Sequence, residues 1–238
     1  MRVLLGSGGI ATEERRKTYR KMVREHFLGF SEVLFIPFAS HDHASYTSRM
    51  KELLGEDGPK LVGIGDSSPL EAVMRMEAIY VGGGNSFLLL NELHQRGLIS
   101  PIRDRVISGA PYLGVSAGSN VACPTMMTTN DMPIILPPTF DSLDIVPFQI
   151  NPHYHPGRIH FVDGDKMTDH FGETRSQRIS EFHRLNDLPV LGMWEGSFVI
   201  WNGSIGDLSG RATAFSKGQD PIELVDGDSF DSQLNKVG

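Results

Sequence analysis

Through residue 115 the chain alternates between two hydrophobic periods, and this alternation limits the fold more than any other feature. Short apolar runs rich in β-branched and aromatic residues at 3–6, 32–38, 60–64, 78–81 and 112–115 end near glycine, proline or serine and predict buried strands. Between them, 13–27, 46–54, 69–76, 87–95 and 101–107 carry apolar residues at helical spacing; Tyr19, Met22, Val23 and Phe27 form one such stripe. Strand–helix alternation with short connections implies βαβ units. The expected class is therefore α/β, a three-layer fold with a mostly parallel sheet and helices on both faces. Ligands of such sheets gather at the carboxyl ends of the strands, so the strand exits are the places to search.

The pattern changes after residue 124. Residues 124–156 are punctuated by proline and show no helical stripe, with a short strand expected near 143–147. A helix is expected at 174–185, and 190–194 with 198–201 read as an antiparallel hairpin around Glu-Gly-Ser. With no repeat, low-complexity tract or linker, residues 1–238 are read as a single catalytic domain. The basic residues Arg15, Arg16, Lys17, Arg20, Lys21 and Arg24 read as the solvated face of the first helix. A net charge of −7 disfavours nucleic acid as a partner, since phosphates demand excess Lys and Arg. No apolar run approaches the roughly 20 residues of a membrane span, and the apolar start is too short for a signal peptide. The one cysteine, Cys123, excludes an internal disulfide, and a reducing, cytoplasmic setting is expected.

Two strand exits carry chemistry. Gly114-Val115-Ser116-Ala117-Gly118 follows a strand and opens a helix, the Gly-x-Ser-x-Gly pattern of a nucleophile elbow. A sharp turn there lifts the serine hydroxyl above the sheet edge, at a helix N-terminus that favours developing negative charge. Val81-Gly82-Gly83-Gly84-Asn85-Ser86 leaves another strand, and its glycines let backbone N–H groups point into a concavity. It lacks the ending of a P-loop and the spacing of a dinucleotide fingerprint, so no nucleotide cofactor is expected. One wall of an oxyanion hole, with the Ala117 N–H as its partner, fits better. Of the nine histidines, His153 in Gln-Ile-Asn-Pro-His stands out, on a stretch stiffened by Pro152. His153, His155, His160, Asp163, Asp165 and His170 are too irregularly spaced to predict a metal site. Asp131 and Glu195 both remain open as the acid that orients the base.

Taken together and in order, Val-Gly-Gly-Gly-Asn-Ser-Phe (81–87), Gly-x-Ser-Ala-Gly-Ser-Asn (114–120), Ala-Cys-Pro-Thr (122–125), Thr-Thr-Asn-Asp-Met-Pro-Ile (128–134), Gln-Ile-Asn-Pro-His (149–153) and Gly-Glu-Thr-Arg-x-Gln-Arg-Ile (172–179) closely resemble the peptidase E family. These are serine peptidases, α-aspartyl dipeptidases grouped with cyanophycinase. The resemblance implies a cytoplasmic hydrolase of dipeptides with an N-terminal aspartate. It also implies a flavodoxin-like sheet similar to that of class I glutamine amidotransferases. On matching positions, Ser116 would be the nucleophile and His153 the base. Glu195 would be the histidine's partner, and Asp131 a second acid needed for activity. Gly84 and Ala117 would be the oxyanion donors and Arg175 the receptor of the aspartyl carboxylate, with Asn85 a further substrate-binding candidate. Two departures from bacterial members are a longer stretch over 154–171 and Met-Trp-Glu-Gly in place of Pro-Glu-Gly. The expected partner is a small Asp-X peptide, with no cofactor or metal, and the chain as a monomer or homodimer. The alternatives are an esterase or cyanophycinase-like hydrolase with the same triad, and a non-catalytic small-molecule sensor. Glutamine amidotransfer is disfavoured because the elbow residue is serine and Cys123 lies beyond it.

Overall fold

Period-two alternation sorts the strand side chains onto two faces, and each face finds its own helices. In the computed structural model, which describes residues 1–65, 67–170 and 172–237, the first half runs β1 (Val3–Gly6), α1 (Glu13–His26), β2 (Glu32–Ile36), α2 (His43–Leu54), β3 (Lys60–Gly63), α3 (Pro69–Arg75), β4 (Ile79–Val81), α4 (Ser86–Gln95), α5 (Ile99–Ile107) and β5 (Tyr112–Val115). Leu4, Val33, Phe35, Tyr80 and Leu113 point to one side, where they pack on Tyr19, Val23 and Phe27 at α1 and on Met50 and Leu54 of α2. Val3, Leu5, Leu34, Ile36, Ile79, Val81 and Tyr112 point to the other, against Val73 of α3, Leu89, Leu90 and Leu93 of α4, and Ile102 and Val106 of α5. Each large side chain buried this way contributes about 1.5–3 kcal/mol, which sets the register of every strand. Local signals fix the helix starts: Thr12 accepts from the Arg15 N–H at α1, and Asp42 accepts from the Ser45 N–H at α2.

The second half comprises α6 (Ala117–Asn120), β6 (Gln149–Tyr154), β7 (His160–Asp163), β8 (Lys166–Asp169), α7 (Arg175–Leu185), β9 (Val190–Trp194), β10 (Phe198–Trp201), β11 (Gly206–Ser209), β12 (Ala212–Phe215), β13 (Ile222–Leu224), β14 (Ser229–Phe230) and β15 (Lys236–Val237). A nine-stranded mixed sheet has the order β15-β14-β11-β10-β1-β5-β4-β2-β3. The five strands from β1 to β3 in that order are parallel, whereas β10, β11, β14 and β15 add antiparallel pairs. The expected mostly parallel sheet is thus parallel in its first-half portion only; the strands added from the second half all pair antiparallel. A separate four-stranded sheet, β13-β12-β9-β6, carries the other strands that matter for the site, and β7 and β8 pair with each other alone. Residue 171, at the end of the long stretch noted above, lies outside the described residues. Among the described residues, no helix is long and apolar enough to cross a membrane.

Two expectations need correction. The strand expected near 143–147 is absent; Leu143, Ile145 and Val146 are buried, but their N–H groups donate to Val121 and Ala122 at the end of α6. Asp144, at φ 50°, breaks the extended run, so the apolar pattern there reflects burial of a loop. The expected hairpin is also absent. β9 pairs with β6 and β12, whereas β10 pairs with β1 and β11, so the chain crosses from one sheet to the other at Glu195 and Gly196.

His26, the last residue of α1, is 7% exposed, and its Nε2 has no hydrogen-bond partner among the described residues. Burial, helped by the nearby Arg2 charge, pushes its pKa from 6.5 down to about 3. The native state therefore resists a proton that the unfolded chain accepts. This contribution is intact above pH 6.5 and fades as pH falls toward 3, at up to about 1.4 kcal/mol per pH unit. Urea unfolding at pH 7.5, 6.5 and 5.5 is expected to show a steeper loss for the wild type than for His26→Leu. Parallel slopes would refute this account of His26.

Candidate active site

Ser116 sits between β5 and α6 with φ 53° and ψ −108°, a conformation costing about 1–3 kcal/mol for a residue with a side chain. The surroundings enforce it. The Ser116 N–H donates to the Gly6 carbonyl at 2.8 Å, and the Ser119 hydroxyl donates to the carbonyls of Gly6 and Gly114, each at 2.9 Å. The end of β4 lies so close to the turn that a Cβ on Gly118 would be 2.2 Å from the Val81 carbonyl oxygen, which explains the second glycine of the motif.

His153 and Glu195 reach this serine from the four-stranded sheet. β6 and β9 run parallel with a register shift between Asn151 and Tyr154, and within it His153 takes φ 56°. Such a bulge re-aims a side chain that a regular strand would point elsewhere. Here it brings His153 Nε2 to 2.7 Å from Ser116 Oγ. On the other side of the ring, His153 Nδ1 lies 2.6 Å from Glu195 Oε1. Glu195 sits where the chain leaves β9 for β10, so the crossover between sheets supplies the acid. The pair is open to solvent, with side-chain exposures of 36% and 41%, so its value lies in fixing the ring's orientation rather than in stability.

Asp131 does not meet the histidine. Its Oδ2 accepts from both the N–H and the hydroxyl of Ser86, each at 2.7 Å, at the start of α4. Asn85 caps the same helix, with Oδ1 accepting from the Leu88 N–H at 3.0 Å and Nδ2 donating to the Met132 carbonyl at 2.9 Å. Asp131 and Asn85 thus brace the loop that carries Gly84. Gly84 itself has φ 135°, and a Cβ there would lie 2.3 Å from the Ala39 carbonyl oxygen. Among the described residues, neither the Gly84 nor the Ala117 N–H finds a backbone acceptor.

Arg175 is the first residue of α7, whose start is fixed by a capping box between Thr174 and Gln177. It is half-buried, and its Nε is buried without a hydrogen-bond partner among the described residues. Desolvation lowers its pKa, the neighbouring Arg178 adds to the effect, and the charges of Glu195 and Asp131 oppose it. An Nε–H held out of water suits an acceptor such as a carboxylate brought by a ligand. Of the histidines downstream, His160 pairs with Asp169 at 2.9 Å on the β7–β8 hairpin.

Several residues of the site escaped the sequence reading. Asn120 and Thr128 donate to the Ile150 carbonyl at 2.8 and 2.7 Å, Asn151 to the Thr128 carbonyl at 2.9 Å, and Asn130 to the Pro152 carbonyl at 2.8 Å. Asn120 ties α6 to β6, the other three fasten the Asp131 loop to β6, and the asparagines near Asp131 and His153 were the available signal. Ser7, Gly8 and Gly9 at the exit of β1 were also missed, although a Gly-Ser-Gly-Gly strand exit is visible in the sequence.

The model of peptidase family S51 matches residues 3–208. A peptidase E of Streptomyces coelicolor is 42% identical over 211 residues, covering 87% of this chain and 84% of the relative. A probable alpha-aspartyl dipeptidase of Drosophila melanogaster is 43% identical over 184 residues, 76% of this chain and 74% of that one. The crystal structure of a peptidase from an acI-B1 actinobacterium shares the fold, with a TM-score of 0.65 at 16% identity, over 97% of this chain and 96% of its own.

Proposed function

The chain belongs to peptidase family S51, and from that membership and the geometry of its site we propose that it is a serine-type dipeptidase, hydrolysing dipeptides with an N-terminal aspartate through an acyl-enzyme. The observation that carries this reading is the Ser116–His153–Glu195 relay, with contacts of 2.7 and 2.6 Å. The fold around it reads as a single catalytic domain of the class I glutamine amidotransferase type, with the β5–α6 turn as its nucleophile elbow. The buried, unpaired thiol of Cys123 suits a reducing, cytoplasmic compartment.

In this mechanism Ser116 Oγ attacks the peptide carbonyl as its proton passes to His153 Nε2, and Glu195 holds the imidazole through Nδ1. The N–H groups of Gly84 and Ala117 face the carbonyl oxygen as it gains charge; one such donor is worth about 10²–10³ in kcat. His153 then protonates the departing amine. Water, deprotonated by the same histidine, attacks the ester and releases aspartate. Asp131 acts at one remove, by bracing Ser86 and hence the Gly84 loop.

Arg175 would receive the aspartyl side chain. Arg175→Ala is expected to lower kcat/KM on Asp-Leu by about 10²-fold, the scale of a charge-assisted bidentate pair of roughly 3 kcal/mol. Activity on dipeptides with an uncharged first residue should change little. A panel of Asp-X, Glu-X, N-blocked Asp-X and ester substrates tests the proposal. Preference for N-blocked or ester substrates would favour the broader hydrolase, and failure of an acylating probe to label Ser116 would favour a sensor. An unchanged preference for aspartate in Arg175→Ala would remove Arg175 from substrate recognition.

A further inference from the structure

All three members of the relay touch the short segment that leaves β1. The Ser116 N–H is held by Gly6, and the Gly196 N–H, next to Glu195, donates to the Gly8 carbonyl at 2.9 Å. A Cβ on Gly8 would come within 3.1 Å of the His153 ring, and one on Gly9 within 2.1 Å of Glu195 Oε2. Ser7, between Gly6 and Gly8, is fully buried at 0% exposure. Its hydroxyl accepts from the His153 N–H at 2.8 Å and donates to the Met193 carbonyl at 3.0 Å. Its own N–H donates to the Ser197 carbonyl at 3.0 Å.

We propose that Ser7 is a positioning residue for His153, its hydroxyl locking the bulge in β6 to the strand that delivers Glu195. This rests on the relay proposed above. The position asks one small group to accept from an N–H and donate to a carbonyl at once, which among side chains of this size a hydroxyl does well. The backbone it holds is the left-handed one at His153, φ 56°, which relaxes toward ordinary values unless its surroundings determine it. Without the hydroxyl, the imidazole swings away from Ser116 and Glu195 together. A displacement near 1 Å costs about 10²-fold in rate. Ser7 is buried beneath the site and out of reach of substrate, so binding is untouched.

The test compares wild type, Ser7→Ala and Ser7→Cys on Asp-Leu hydrolysis, together with the proton NMR signal of His153 Nδ1–H, which a short bond to Glu195 shifts far downfield. Ser7→Ala is expected to lower kcat about 10²-fold with KM within about twofold, and to move the Nδ1–H signal upfield or broaden it. Ser7→Cys keeps the volume but is a weaker donor and acceptor, and should fall between the two. It takes the place of the alanine variant if that one does not fold. A folded variant with kcat within threefold of wild type, or with an unchanged Nδ1–H signal, would overturn the proposal. If wild type neither cleaves Asp-X nor labels at Ser116, the relay reading fails instead, and the Nδ1–H signal still decides the role of Ser7.

Discussion

Replacing Ser116 with alanine is expected to lower kcat on Asp-Leu by roughly four to six decades, with KM and folding little changed. The size follows from the chemistry. In the proposed mechanism no acyl-enzyme forms without Oγ, which leaves water attack assisted by the Gly84 and Ala117 N–H groups and by binding through Arg175. Folding is spared because the strain at φ 53° belongs to the backbone, which alanine shares with serine, and because Oγ has His153 as its partner at the edge of a partly open site. Active-site titration with an acylating probe and steady-state kinetics check this together. Retained turnover in Ser116→Ala would remove the serine from the mechanism.

Glu195→Gln should cost about 10³–10⁴ in kcat. A carboxylate at Nδ1 does two things: it keeps the proton on that nitrogen so that Nε2 is free to accept from Ser116, and it stabilises the imidazolium that forms. Glutamine keeps the shape but loses the charge and can impose the wrong tautomer. Asp131→Asn should cost at least tenfold less, since Asp131 contacts Ser86 rather than the histidine, and an amide oxygen can still accept both of those bonds at their present 2.7 Å. The pair of variants decides which acid serves the base: a larger loss in Asp131→Asn would reverse the assignment.

Much of this site was legible before any coordinates. The glycines around Ser116 and in the 82–84 run marked the two strand exits because close backbone approach excludes a Cβ, a constraint that acts locally and therefore shows in local sequence. His153 was harder to place. Its histidine and proline were noticed, but its bulge depends on β6 pairing with β9, across more than thirty residues of sequence. Glu195 was located at a hairpin tip that does not exist, because short apolar runs on either side of a Glu-Gly-Ser turn look alike whether they pair with each other or with other strands. The apolar residues at 143–147 misled for a related reason: burial in a loop and burial in a strand leave the same composition. Ser7 carried no signal beyond its neighbours, since its role lies in one hydroxyl between two distant strands.

The sequence by itself determined the βα alternation, the two faces of the parallel core, the strained serine turn and the glycine-lined loop beside it, since each depends on residues a few positions apart. Only the tertiary structure decided that His153 and Glu195 meet Ser116 from a second sheet, that the chain changes sheets at Glu195, and that Asp131 bonds Ser86 rather than His153. Those outcomes follow from which strands pair at long range. Such pairing is settled by burial and hydrogen bonding across the whole molecule, and no local pattern records it.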